Sequence, residues 1–336
     1  MKIVRKKKLS LFPIMIILGF FLFSGISSCD LHKQRKVIKL AHGLPTDHPV
    51  HKAMVYMANR LEKLSEGKLT IQIYPSGQLG SEQQCVELVQ IGSLAMTKVS
   101  AAVMESFADD YKVLGLPYLF LSKQHTFKVL NGDIGKDILL STEKRWIRGL
   151  CFYDAGSRSF YTVSKPIHKP EDLKGLKIRV MKSKTALEMV KAMGGSPTPL
   201  SWGELYTALQ SGVVDGAENN PPSFYTSHHY EVCKYYTLDE HATIPDVLII
   251  NEKVWEKLTK QEQQWLQQAA NESVRVERKL WAESVKESLE AVKKAGVEII
   301  IPDKSLFHAK VAPLYKEYEK HKVINDYIIR IQNTHE

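Results

Sequence analysis

Residues 172–180 read Asp-Leu-Lys-Gly-Leu-Lys-Ile-Arg-Val, and the second half of this stretch predicts a β-strand. Leu176, Ile178 and Val180 share one face of that strand, and Arg179 lies on the other. Arg179 therefore projects from a rigid strand away from the apolar core, where its planar guanidinium can bind a carboxylate through two hydrogen bonds. A surface salt bridge is the alternative role for this side chain.

Strands and helices alternate on both sides of this strand. The segments at 37–42, 69–74 and 95–99 are typical of strands, with amphipathic helical patterns between them. Two further extended segments, 148–153 and 158–164, are separated only by Asp-Ala-Gly. The order of elements predicts an α/β fold with two lobes, largely parallel sheets, and extended hinge strands that join the lobes beside a cleft.

One long helix is predicted near the C-terminus. Residues 260–295 contain neither Gly nor Pro, and apolar residues recur at about the helical period. At about 1.5 Å per residue such a helix is about 50 Å long, which exceeds one small lobe. We expect it to lie across both lobes, or else to form a coiled coil with a partner. Lobe I is predicted to comprise 37–155 with about 246–285, and lobe II 156–245 with about 286–336.

The N-terminus has the pattern of an export signal. Residues 1–28 contain five basic residues and no acidic one. Within this stretch, the basic residues are followed by an apolar run of about 15 residues, which is short for a transmembrane helix. The run ends in Ile-Ser-Ser before Cys29, which resembles the lipobox of bacterial lipoproteins. This resemblance implies cleavage before Cys29, lipidation of Cys29, a tether over 29–36, and a membrane-anchored location in the periplasm or at the cell surface. An ordinary cleaved signal is the alternative.

Composition and motifs exclude several function classes. The 336 residues have a net charge of +9, but removal of the N-terminal signal with its five basic residues lowers this to +4. The remaining basic residues are dispersed, so nucleic acid is not an expected partner. Common nucleotide, zinc-protease and hydrolase signatures are missing. His48 and His51 have a spacing open to metal binding, but a solvated or capping role is favoured for them. The sequence predicts no metal site, no cofactor and no catalytic residue.

Other candidate binding residues flank the Arg179 strand. Arg158 begins an extended segment and supplies a second guanidinium for an anionic ligand. Asn220 precedes Pro221 and is a predicted helix N-cap, which leaves Asn219 free for another role. Trp202 is either a core residue or a flat wall against which a sugar ring packs.

Six segments of the chain are together similar to the DctP-type substrate-binding proteins of TRAP transporters. They occur in the order found in that family and cover nearly the whole chain after the signal. The segments are Tyr74–Gly80 (YPSGQLG), Gly115–Tyr118 (GLPY), Asp172–Val180 (DLKGLKIRV), Gly194–Pro199 (GGSPTP), Glu204–Gln210 (ELYTALQ) and Val214–Asn219 (VDGAEN).

This resemblance implies a protein with two lobes, a cleft between them and a helix across both. It also implies that the protein is not an enzyme. Such proteins deliver carboxylate-bearing solutes to a pair of integral-membrane permease subunits driven by an ion gradient. In the family, the arginine at the position of Arg179 binds the ligand carboxylate. Arg158 and Asn219 match two further binding positions, and Trp202 matches the aromatic wall.

Departures from the family's sialic-acid binders affect the expected ligand. Those proteins carry an acidic residue where this chain has Lys98-Val-Ser, and an asparagine at the position of Lys182. Five side chains are expected to line the cleft and to favour a polyhydroxylated acid: His42, Glu82, Lys98, Lys182 and His241. With the stretches Asn219–Tyr225 (NNPPSFY) and Leu238–His241 (LDEH), the chain resembles members that bind hexuronates such as D-glucuronate or D-galacturonate. A dicarboxylate, aldonate or keto acid ligand, a sensor role and an exported sugar-acid enzyme are the alternatives.

Overall fold

The computed structural model describes Lys2 and residues 35–335. Apart from Lys2, the predicted signal lies outside these residues, as do Cys29 and all but the last two residues of the tether. Eleven strands are present in the described part of the chain: β1 Lys36–Ala41, β2 Leu69–Tyr74, β3 Met96–Ser100, β4 Ile147–Tyr153, β5 Ser157–Thr162, β6 Lys177–Val180, β7 Ser196–Pro199, β8 Gly216–Asn219, β9 Tyr235–Thr243, β10 Asp246–Asn251 and β11 Glu298–Ile300.

These strands form two sheets, one in each lobe. The first has the order β2-β1-β3-β10-β4, and the second has the order β11-β9-β5-β8-β6-β7. The chain passes from the first sheet to the second between β4 and β5 and returns between β9 and β10. The predicted α/β fold of two lobes joined by extended segments is therefore confirmed.

The expectation of largely parallel sheets needs one correction in each lobe. Within the described strands, β10 runs antiparallel to both of its neighbours in the first sheet, and β5 does the same in the second. The other pairings are parallel. The two reversed strands are those that directly follow a passage between the lobes, so each enters its sheet from the opposite side.

Helices cover the faces of both sheets. The α-helices in residues 35–335 are α1 Pro49–Leu64, α2 Glu82–Gln90, α3 Ala101–Met104, α4 Lys123–Asn131, α5 Asp133–Leu140, α6 Lys184–Ala192, α7 Leu205–Gln210, α8 Pro221–Thr226, α9 Glu252–Glu256, α10 Lys260–Lys294, α11 Lys304–Tyr318 and α12 Lys322–Gln332. None of these helices is long and apolar enough to cross a membrane.

The long helix α10 lies across both lobes. It begins with a capping box between Thr259 and Glu262, in which each side chain accepts a hydrogen bond from the other residue's backbone N–H. Leu266 and Trp281 pack into the core of the first lobe, whereas Val292 packs into the core of the second. The helix thus connects the two cores, as predicted.

The C-terminal helix α12 departs from the predicted lobe boundary. The sequence predicts that residues from about 286 to 336 belong to lobe II, but Ile324, Ile328 and Ile331 of α12 are buried in the core of the first lobe. The amphipathic pattern of α12 predicts one apolar face without showing which lobe that face covers. The chain therefore crosses back to lobe I after α11.

The three cysteines in the described residues are all buried and free. Cys85 and Cys151 lie in the core of the first lobe, and Cys233 lies in the core of the second. Burial raises the pKa of the Cys85 thiol to about 11, so this group stays protonated at neutral pH. Packing is the role that these positions support.

Candidate functional site

A cavity lies between the two lobes, beside the segments where the chain passes from one to the other. Seven of the nine predicted ligand-binding residues line it: Glu82, Lys98, Arg158, Arg179, Lys182, Trp202 and Asn219. His42 and His241 do not. We call the side formed by Lys98, Glu82 and Asp246 the first-lobe wall, and the side formed by Arg158, Arg179 and Asn219 the second-lobe wall.

Arg179 lies on β6, whose other face carries Ile178 and Val180 into the core. The residue is only 2% exposed. Its Nε donates a hydrogen bond to the Leu200 carbonyl oxygen at 3.0 Å, and its guanidinium lies 5.7 Å from the centre of the Trp202 ring. Its Nη1 is buried and has no hydrogen-bond partner among the described residues. Since an unsatisfied buried donor is costly, this nitrogen is available to donate to an anion.

Arg158, on β5, is also buried, but most of its donors are already used. Its Nε and Nη2 both bind the Glu218 carboxylate, the latter at 3.0 Å, and Nη2 also donates to the Glu218 carbonyl oxygen at 2.8 Å. Its Nη1 donates to Oδ1 of Asn219 at 2.9 Å. The charge of Arg158 is thus balanced within the protein, in contrast to that of Arg179.

His241 lies behind this wall rather than in the cavity. Its Nδ1 is 2.7 Å from Asp239 Oδ2, and its Nε2 is 3.5 Å from Glu218 Oε2. Burial acts to lower its pKa, but the Asp239 and Glu218 carboxylates outweigh burial and raise the pKa of His241 to about 9. The expectation that His241 lines the cleft is wrong because two buried carboxylates hold its ring.

Glu218 was not identified from the sequence, although it adjoins Asn219 in the VDGAEN segment. Burial acts to raise its pKa, but Arg158 and His241 lower it to about 2, so the side chain is a carboxylate at neutral pH. With Asp239, it balances the charges of Arg158 and His241. The second-lobe wall and the groups behind it therefore retain one positive charge, that of Arg179.

Asn219 is the last residue of β8, and the oxygen of its side-chain amide already accepts hydrogen bonds within the protein. Its Oδ1 accepts hydrogen bonds from Arg158 Nη1 and from the Asn220 backbone N–H, both at 2.9 Å. The amide N–H groups remain as its donors toward the cavity. Asn220 caps α8 by accepting from the Ser223 N–H at 2.8 Å, which confirms the predicted N-cap.

The first-lobe wall contains one buried cation between two carboxylates. Lys98, on β3, is 2% exposed, and its Nζ lies 3.0 Å from Glu82 Oε1 and 3.0 Å from Asp246 Oδ2. Burial acts to lower the pKa of Lys98, but the two carboxylates raise it. Sequence reasoning missed Asp246, whose only signal was its place at the start of a strand that directly follows the passage between the lobes.

The histidines near the first lobe differ in position. His42 is buried away from the cavity, where its Nε2 lies 3.0 Å from His51 Nδ1 and its Nδ1 accepts from the Leu44 N–H. Burial and the nearby Lys98 charge lower the pKa of His42 to about 2, so the ring is neutral. The expectation that His42 lines the cleft is therefore wrong, because its two ring nitrogens are held inside the lobe.

His48 lines the cavity and contacts the other lobe. Its Nδ1 accepts from the Val50 N–H at the start of α1, and its Nε2 lies 3.3 Å from Ser223 Oγ on α8. Of the solvated and capping roles expected for His48, the structure supports the cap, since the side chain is buried. Its place in the cavity wall was not predicted. Among the described residues, no group of three or more His, Cys, Asp or Glu side chains is placed to hold a metal ion.

Trp202 and Lys182 form the outer part of the site. Trp202 is half-buried, and its ring packs edge-on against His229 at 5.0 Å between centres. Lys182 is exposed at the rim. Trp281 of α10 and Ser223 also line the cavity and were not predicted as binding residues.

Comparison with known proteins identifies the family. Residues 40–321 match DctP, the bacterial extracellular solute-binding protein family 7, and the chain belongs to that family. It is 30% identical to the C4-dicarboxylate-binding periplasmic protein DctP of Rhodobacter capsulatus over 286 residues, covering 84% of this chain and 86% of that one. The protein is thus a periplasmic solute-binding protein of a TRAP transporter, and not an enzyme.

Two similar solved structures contain bound hexuronates. A TRAP solute-binding protein from Xanthobacter autotrophicus Py2 with bound β-D-galacturonate is 41% identical, with a TM-score of 0.86 over 89% of this chain and 100% of that one. One from Anaerococcus prevotii with bound D-glucuronate is 39% identical, with a TM-score of 0.87 over 89% and 97%. Membership of a TRAP system implies permease subunits in the membrane as partners.

Proposed function

We propose that this protein captures a hexuronate, D-galacturonate or D-glucuronate, for uptake by its permease. The observation that carries this proposal is the buried Arg179 Nη1, which has no partner among the described residues and faces a cavity formed by both lobes. A carboxylate there completes the hydrogen bonds of the guanidinium and neutralises its charge. The uronates bound to the two similar structures support this choice of ligand.

The remaining groups suit the hydroxyls and ring of a sugar acid. The Asn219 amide N–H groups donate to the carboxylate or to a neighbouring hydroxyl, and the Glu82 and Asp246 carboxylates accept from hydroxyls farther along the ligand. Trp202 packs against one face of the sugar ring. Arg158 positions Asn219 rather than binding the ligand as its main contact, because its donors already bind Glu218 and Asn219.

Both lobes contribute to binding, so the ligand stabilises their contact. Lobe I comprises about 37–155, 246–285 and the C-terminal helix, and lobe II comprises 156–245 with the end of α10 and α11. Closure about the segments that join the lobes completes the site, since groups from each lobe reach the ligand only when the lobes meet.

Cys29 is proposed as the site of lipidation that anchors the mature protein to the membrane surface. This assignment rests on the small residues that precede it and on the export pattern before them. Incorporation of labelled fatty acid by the wild-type protein and its loss in Cys29→Ser test this assignment separately from ligand binding.

Thermal unfolding of the purified protein in the presence of uronates, aldonates, dicarboxylates and keto acids tests the proposed ligand. A ligand that binds the folded state raises the melting temperature by mass action, so we expect the largest rise with a hexuronate. A rise with a dicarboxylate and none with either uronate contradicts the proposal. We also expect the hexuronate concentration to stay constant during overnight incubation with the protein, since binding does not convert the ligand.

A further inference from the structure

The first-lobe wall has an excess of negative charge that capture of a carboxylate does not explain. Lys98 Nζ lies 3.0 Å from a carboxylate oxygen of Glu82 and 3.0 Å from one of Asp246. Glu82 is also fixed by the Ser100 backbone N–H, which donates to its Oε2 at 3.4 Å. One cation is therefore shared by two carboxylates, which gives the wall a net charge of about −1. All three residues line the cavity.

Burial makes this excess charge significant. The Lys98 and Asp246 side chains are 2% and 11% exposed, and that of Glu82 is 16% exposed, so water screens the three charges only weakly. Burial first, and then the nearby Glu82 carboxylate, raise the pKa of Asp246 even though Lys98 acts in the opposite direction. Another anion added to this wall meets two carboxylates whose shared cation is already bound.

The second-lobe wall has the opposite balance. The Arg158 charge is paired with Glu218, whereas Arg179 has a free buried donor and no carboxylate partner among the described residues. Arg179 and Glu82 line the same cavity, so a small acid can reach both walls at once. Its carboxylate lies at Arg179, and its other end lies at Glu82 and Asp246.

We propose that the Lys98–Glu82–Asp246 cluster selects against a second carboxylate, so that the site admits polyhydroxylated monocarboxylates and excludes dicarboxylates. Hydroxyl groups at the far end of the ligand donate to Glu82 and Asp246, whereas a carboxylate there accepts only and is repelled. Such repulsion gives specificity among ligands that share one binding group. The inference rests on the proposed function, because it assigns the ligand carboxylate to Arg179.

The selection matters within this family. A relative that shares 30% of its residues with this chain is named for binding C4-dicarboxylates, whereas the two solved structures described above hold monocarboxylate sugars. A device that rejects a second carboxylate would separate these two classes of acid.

Calorimetric titration of the purified protein with D-galactonate and galactarate tests the selection. The two open-chain acids have the same carbon skeleton, and differ in whether the far end is a hydroxymethyl group or a second carboxylate. We expect D-galactonate to bind at least tenfold more tightly than galactarate. We expect Glu82→Gln to narrow that ratio at least fivefold, because the Lys98 charge is then balanced by Asp246 alone.

Glu87→Gln is the matched control, since Glu87 lies on the same helix with its side chain exposed. It removes the same charge from α2 outside the cavity and should leave the ratio unchanged. Asp246→Asn gives a second test of the selection. The unfolding curve of each of the three variants shows whether that variant remains folded.

The outcomes separate the two proposals. The selection is overturned if galactonate and galactarate bind the wild-type protein with equal affinity, or if neither Glu82→Gln nor Asp246→Asn alters the ratio of the two affinities. In either case, binding of a uronate preserves the proposed function. Failure of D-galacturonate, D-glucuronate and D-galactonate all to bind overturns the proposed function and the selection together.

Discussion

The two walls of the cavity contain similar charged groups, but the net charge that remains has the opposite sign on each. In the first-lobe wall, Lys98 is shared by two carboxylates, and the charge that remains is negative. In the second-lobe wall, Glu218 satisfies Arg158 and leaves Arg179 with a free donor, so the charge that remains is positive. Under the proposed function, the ligand is specified by which charges stay uncompensated, and not by which charged residues are present.

The largest expected effect is the loss of the free donor on the second-lobe wall. Arg179→Ala should weaken hexuronate binding about 100-fold or more, since charge-assisted hydrogen bonds to a buried guanidinium contribute about 1.5–3 kcal/mol each and about 1.4 kcal/mol corresponds to a tenfold change. Calorimetric titration measures this. Arg179→Lys should recover only part of the affinity, because an ammonium lacks the planar fork.

Lys177→Ala is the matched control for that change. Lys177 lies on the same strand with its side chain exposed, so its removal should leave hexuronate affinity unchanged. An Arg179→Ala protein whose affinity stays within a factor of three of the wild type would show that the carboxylate does not bind at this position.

A second prediction concerns the compensated charges behind the same wall. Glu218→Gln leaves Arg158 and His241 with less negative charge to balance them, and breaking a buried pair in this way destabilises by about 3–5 kcal/mol. We expect the melting temperature to fall by several degrees in the absence of ligand. Glu298→Gln, at an exposed position on β11, should leave it unchanged. Equal melting temperatures for Glu218→Gln and the wild type would contradict the assigned pairing.

How far the sequence alone predicts this site depends on the kind of information required. The alternation of residues 176–180 places Arg179 off the core face, and this holds in the structure. The partners of Arg158 and Lys98 depend on which strands lie side by side, because Glu218 faces Arg158 only after β8 pairs with β5. Asp246 approaches Lys98 only after β10 returns to the first sheet beside β3.

The two wrong placements have the same origin. His42 and His241 have the residue type and chain position expected of lining residues, yet each ring is held behind the cavity by a side chain from the same lobe, His51 in one case and Asp239 in the other. The helix α12 is a related case, since its apolar face is evident from the sequence but the lobe that it covers depends on tertiary packing.

A third prediction concerns a carboxylate with no cation beside it. Glu105, in the first lobe, accepts hydrogen bonds from Ser183 Oγ at 2.9 Å, from the Thr185 N–H at 3.2 Å and from the Thr185 hydroxyl, all in the second lobe. Burial raises the pKa of Glu105 from 4.5 to about 7. The folded protein therefore binds this proton more tightly than the unfolded chain does.

The contribution of Glu105 to the free energy of unfolding is most favourable below about pH 4.5 and declines as the pH rises to about 7, by up to about 1.4 kcal/mol per pH unit. Glu105→Gln removes this titration. Subtracting the unfolding curve of the variant from that of the wild type at each pH should therefore give a difference that changes between about pH 4.5 and 7 and is constant above. A difference that does not vary with pH over that window would contradict the raised pKa.

The smallest expected effect lies at the edge of the second-lobe wall. Trp202→Ala removes a ring contact with the sugar and should weaken hexuronate binding about three- to tenfold, since such contacts contribute about 0.5–1.5 kcal/mol. Trp146→Ala, at a tryptophan outside the cavity, is the control and should leave binding unchanged. A loss as large as that of Arg179→Ala would mean that the ring, rather than the carboxylate, dominates recognition.

The most direct test of the opposite charge of the two walls is a crystal structure of the protein with D-galacturonate bound. We expect the ligand carboxylate about 3 Å from Arg179 Nη1, with sugar hydroxyls donating to Glu82 or Asp246 on the first-lobe wall. A carboxylate bound at Lys98, with hydroxyls directed toward Arg179, would contradict it.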